Sequence, residues 1–282
     1  MRLLDLPQAK HFCAPTPPVI AGITPQSLSA YHGAMSKGVV LLQEGTVRFQ
    51  VHQVSLLQSV ERWLTFSVGH YRRSVEMLVP ISAPWAHVTL YYASFFAANA
   101  ILGLLGGWTG QTSAGLRVVD VENGAVGSQQ LRIWRNPIAP SGARGSHRVF
   151  WDFFYSATAS ISAWAPASLA GALSPVNGDI AWQIMERNDV NYDMHHAWAA
   201  SSRLHTTLKA GRLKTLAGPL KLQLEVTERM IKLALHFAHA VLQSPLSLSG
   251  CGAVGSRQQI HRRLATQVPP NLVSQSAFYS LV

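Results

Sequence analysis

Histidines and carboxylates at close spacing are the first residues in this chain that invite a chemical reading. His195 and His196 follow Asp193, and His236-x-x-His239 places two imidazoles three apart on a helix. Such pairs can share a metal ion, but a zinc site needs three or four ligands with tetrahedral geometry, and neither cluster supplies a complete set. Surface or interface histidines are the plainer reading, and no metal or cofactor is implied. Glu186, Asp189 and Asp193 form an acidic group. They flank an expected helix start, where carboxylates complement the positive end of the dipole. The run from Gly103 to Gly110 contains four glycines. It follows a helix, not a strand, and no Gly-Lys-Ser/Thr follows it, so a helix C-cap and loop fit better than a phosphate loop. No G-x-S-x-G elbow is present.

The elements that must position these groups read as mainly helical. The first 26 residues hold five prolines and read as an extended arm. A short helix is expected over about 27–43 and a long one over about 49–78, followed by an apolar helix near 87–105. Strand composition at 116–121 and 130–134, with Glu122-Asn123-Gly124 as a turn between them, predicts a β-hairpin inserted at about 116–135. Helical patterns resume at about 149–163, 179–186, 192–210 and 219–242. In the last, Glu225 with Arg229 and Glu228 with Lys232 are spaced as i,i+4 pairs. Residues 27–242 therefore form the expected helical domain, and 243–282 a Gly/Ser-rich and basic tail.

Composition narrows the classes further. Charged residues are 13% of the 282, about half the roughly 25% of ordinary globular proteins, while apolar residues are 48%. Disorder and a charge-laced coiled coil are excluded on these figures. The net charge of +10 is uneven: residues 200–282 carry ten Lys and Arg against two acids, whereas 1–199 carry thirteen against eleven. A basic C-terminal region attracts nucleic acid, nucleotides or an anionic membrane surface. Val88 to Gly107 are twenty residues without a charge, long enough to cross a bilayer. Polar interruptions make a buried bundle helix the better reading, and a membrane partner is not expected. Two cysteines far apart imply no disulfide framework, and with no secretory signal a cytoplasmic location is the expectation.

Two segments, in order, resemble the HEPN superfamily of helical-bundle proteins. Leu90-Tyr91-Tyr92-Ala93-Ser94-Phe95-Phe96-Ala97-Ala98-Asn99-Ala100-Ile101-Leu102 is similar to that family's core helix. Arg187-Asn188-Asp189-Val190-Asn191-Tyr192-Asp193 resembles the segment opening a later helix. The resemblance implies an HEPN-like bundle from a bacterial antiphage-defence or toxin system, with RNA as partner and a metal-independent cleavage site commonly built across a dimer. Arg187 would then face the phosphate with Asn188 beside it, and His195 or His196 would act as acid or base. Such roles suit the groups, since imidazole titrates near working pH and guanidinium can hold two phosphate oxygens. Lys209, Arg212 and Lys214 would assist RNA binding, with Arg262 and Arg263 in the tail. In this chain seven residues separate Arg187 from His195. A continuous helix would hold them roughly 12 Å apart, so cooperation calls for a break near Asn188 to Asn191 or for pairing across subunits. The rival expectation is a noncatalytic scaffold or adaptor subunit of a homo- or hetero-oligomer, since interface cores are poor in charge and rich in aromatics.

Overall fold

The computed structural model describes residues 2–14, 26–35, 38–78, 82–113, 115–135, 146–209 and 219–241. Helix accounts for 70% of them, beside one small antiparallel sheet. In chain order the elements are α1 (Leu6–Phe12), α2 (Leu28–Gly33), β1 (Val40–Gln43), α3 (Val47–Glu76), α4 (Ala83–Leu104), β2 (Trp108–Thr112), β3 (Gly115–Asn123), β4 (Gln130–Arg135), α5 (Ser146–Thr158), α6 (Ala167–Ala170), α7 (Trp182–Tyr192), α8 (Met194–Lys209) and α9 (Pro219–Val241).

The centre is α4, which packs against α3, α7, α8 and α9. Ala93, Ala97, Ala98 and Ala100 are fully buried, and these small side chains let neighbouring helices approach closely. At the crossing with α3, a Cβ added to Gly103 would stand 2.5 Å from Val60 Cγ2. The helix ends in a Schellman motif: Gly106 takes φ +77°, Gly107 N–H donates to Leu102 O and Gly106 N–H to Gly103 O. The expected C-cap is therefore present. By length and composition α4 is long and apolar enough to cross a bilayer, but 72% of its most apolar window is buried within the protein. A hydroxyl bridge ties it to α9, Ser94 donating to Thr227 at 2.9 Å and Thr227 to Leu90 O at 3.3 Å.

The expected hairpin exists as β3 and β4, with Val119 opposite Ile133 and a register shift at Val121/Asn123. It belongs to a larger sheet of order β1-β4-β3-β2. Residues 27–43, read as one helix, divide into α2 and the edge strand β1, because Gly38 and the Val39-Val40 pair favour extended chain. Trp108–Thr112, read as loop, pairs with β3 as the opposite edge. Across the middle, Arg132 grips buried Asp120 with two hydrogen bonds of 3.0 and 2.9 Å.

The extended-arm reading of 1–26 is corrected over Leu6–Phe12, which is helical. Asp5 and Gln8 form a reciprocal capping box, and Pro7 falls in the first turn, where its missing N–H costs nothing. Ala9 and Phe12 are buried in the core. In α9, the Glu228–Lys232 pair closes at 2.6 Å, whereas Glu225 pairs with Lys221 at 3.8 Å, not with Arg229.

Candidate functional site

Arg187 stands in the middle of α7, half-buried against α4. Its guanidinium carbon lies 5.4 Å from the Tyr91 ring centroid and 5.8 Å from that of Tyr92. Both rings sit on α4 within the segment that resembles the family core helix. The two motifs therefore meet in space, through a cation resting on aromatic faces.

A histidine does stand beside Arg187, and it comes from a different element. His147, in the first turn of α5, lies with Nδ1 2.8 Å from the Tyr91 hydroxyl, which also accepts a hydrogen bond from Trp151 Nε1 at 3.3 Å. Phe95 packs against the imidazole with ring centroids 4.8 Å apart. Burial, and then the charge of Arg187, lowers the His147 pKa below its ordinary value, so the ring is neutral at pH 7. Burial raises that of Tyr91, which remains a hydroxyl. With Tyr91 O–H donating to Nδ1, His147 Nε2 carries the proton and can donate it to a phosphate oxygen. If Nδ1 donates instead, Nε2 becomes a base. The two states differ by a tautomeric shift of the imidazole proton between Nε2 and Nδ1, with the Tyr91 hydroxyl turning to match.

The other sequence-derived candidates fall elsewhere. The helix α7 runs unbroken through Asn188 to Tyr192, so no break occurs at Asn188–Asn191. The chain turns at Asp193, at φ −105° and ψ 109°. Asp193 Oδ1 then caps α8, accepting from the backbone N–H groups of His195 at 2.8 Å and His196 at 3.4 Å. Asn188 is half-buried on α7, and His195 is exposed. His196 folds back to Glu186, Nε2 to Oε2 3.6 Å. Glu186 has its pKa raised by burial, against the opposing pull of His196. Nearby His87 is buried and lowered to about 4 by that burial and by the charges of His196 and Arg203. Among the described residues no three His, Cys, Asp or Glu side chains are grouped to hold a metal ion. Lys209 ends α8, and Arg212, Lys214, Arg262 and Arg263 lie outside the described residues.

Sequence reading missed His147 and the part played by Tyr91 and Tyr92. The tyrosines were visible only as part of the segment that resembles the core helix. His147 had one local mark, a lone imidazole near the start of an otherwise aromatic helix, and its hydrogen-bond partner Tyr91 is 56 residues away. No protein-family model, curated protein or solved structure matches the chain, so its likeness to the HEPN superfamily rests on the two motifs.

Proposed function

We propose that the protein is an HEPN-like helical bundle of a bacterial antiphage-defence or toxin system that cleaves RNA at Arg187, Tyr91 and His147. The observation that supports this reading is an imidazole and a guanidinium on one aromatic platform, the latter half-buried and lying over two rings. In the reaction His147 Nε2 takes the proton of a 2′-hydroxyl, and the 2′-oxygen attacks the adjacent phosphorus. The bond from phosphorus to the 5′-oxygen breaks, and that oxygen takes a proton from water, the hydroxide left behind being neutralised by the proton held on His147. Arg187 stabilises the charge that grows on the phosphoryl oxygens. The products are a 2′,3′-cyclic phosphate and a 5′-hydroxyl.

The test is purified protein on tRNA and mRNA in EDTA, with product ends identified by mass spectrometry. Arg187→Ala is expected to lower the rate about 100-fold or more. Unchanged cleavage by that variant would contradict the proposal.

A second reading, a noncatalytic scaffold, is favoured by a different observation. Trp85 at the start of α4, Met185 and Tyr192 on α7, and Met194 and Trp198 on α8 are all exposed. Large apolar side chains exposed on three helices that pack against one another suit a protein interface. A stable hetero-complex lacking nuclease activity supports this scaffold, whereas an active homodimer supports the enzyme.

A further inference from the structure

A basic and aromatic groove lies beside the Arg187 site, on the outer side of α3. One part, about 560 Å³, is lined by Phe66, His70, Arg72 and Arg73, with Thr89 of α4 on its far wall. A second part, about 260 Å³, contains Arg62, Trp63 and Phe96 and shares Phe66 with the first. Arg62, Phe66 and His70 are four residues apart, so one helix face presents them in a row. His70 Nδ1–H donates to Phe66 O at 2.8 Å, which fixes the imidazole beside the Phe96 ring, centroids 5.2 Å apart.

Aromatic contacts run from this groove to the candidate site without a gap. Phe66 meets Phe96 at 5.6 Å, Phe96 meets Tyr92 at 6.3 Å, and Tyr92 carries Arg187 on its face at 5.8 Å. Phe66 stands furthest out, 49% exposed in a protein whose large apolar side chains are mostly buried. Among the described residues, three arginines line the two parts and no carboxylate does. Glu76, just beyond, pairs with Arg72 at 3.1 Å and Arg73 at 3.0 Å, but these are exposed pairs that a phosphate can displace. Flat faces set between cations are what single-stranded nucleic acid requires: bases stack on the rings while guanidinium groups follow the phosphates.

We infer that this groove binds single-stranded RNA, with bases stacked on Phe66 and its neighbours and phosphates held by Arg62 and Arg73, and that it leads the strand to Arg187. The inference rests on the RNA reading above. Duplex RNA offers no open base faces and binds here at least tenfold more weakly.

Fluorescence anisotropy of the full chain with a labelled twelve-nucleotide single-stranded RNA, across a salt series, is the test. Phe66→Ala is expected to weaken binding roughly tenfold. Arg62→Ala and Arg73→Ala should each lower the slope of log affinity against log salt by about 0.7, the share of one phosphate on a single strand. Glu76→Gln, which removes the carboxylate paired with Arg73, should tighten binding, an effect that loss of a merely structural contact would not produce. Cross-links from 4-thiouridine RNA should map to residues 62–73. If RNA binds but Phe66→Ala and Arg62→Ala bind as well as the parent and cross-links map elsewhere, the groove is overturned while the RNA reading stands. If the parent binds no single-stranded RNA, the RNA reading falls and the groove with it. Binding duplex and single strand equally overturns the stacking role. All four substituted side chains are exposed, so an unchanged thermal melt is the control for folding.

Discussion

Arg187 is a cation set over the faces of two tyrosines, and its charge shapes the histidine next to it. Burial and the guanidinium charge together hold His147 neutral. Removing the charge by Arg187→Gln should therefore raise the His147 pKa, and NMR titration of its ring protons would detect an upward shift; no movement would separate the two groups electrostatically. A second residue-scale consequence concerns stability. His32 is lowered to about 3 by burial and the charge of Arg117, His52 well below its ordinary value by burial and by His32, and His87 to about 4. All three are neutral when folded yet protonate near pH 6.5 when unfolded, so the unfolded chain binds more protons at acid pH. Stability is then full above about pH 6.5 and falls as pH drops toward 4, at about 1.4 kcal/mol per pH unit for each histidine. Urea midpoints at pH 7.5, 6 and 5 should show the decline, and His52→Leu should flatten it. At this scale Arg187 was legible as part of a motif. His147 was not, because only tertiary packing brings α5 to α4.

Periodicity carried the long elements. In α3, α4 and α9 the apolar spacing locates the helix to within a few residues, since each buries a broad face over many turns. Short elements were less visible for reasons specific to each. β1 and β2 are edge strands of four and five residues, held by pairing with β4 and β3 more than by their own sequence. In α1 five nearby prolines concealed a capping box that needs only Asp5 and Gln8. Gly103→Ala forces a methyl against Val60 at the α3–α4 crossing and should cost about 1–2 kcal/mol, because the gain of about 1 kcal/mol in helix propensity only partly offsets the overpacking. A shift of the urea midpoint measures it. Ala97→Asp or Ala98→Asp places an unpaired charge at a fully buried site of α4, and loss of the far-UV helical signal is expected.

Across the whole molecule, scarce charge fits a body in which a nearly all-round buried helix is wrapped by others, and in which five large apolar side chains remain exposed around α7 and α8. Native mass spectrometry is expected to find an assembly through that face, and Trp198→Lys should dissociate it; a parent that stays monomeric at micromolar concentration argues against any interface there. The surplus of eight positive charges in residues 200–282 complements the groove on α3 as attraction for RNA. On the proposed reading Arg187 works with His147 and not with the histidines that follow it in sequence. Single-turnover RNA cleavage in EDTA by the parent, Arg187→Ala, His147→Gln and His195→Gln tests it most directly. The first two variants should each lose about 100-fold or more while His195→Gln keeps its rate within twofold; full activity in His147→Gln with loss in His195→Gln would contradict it.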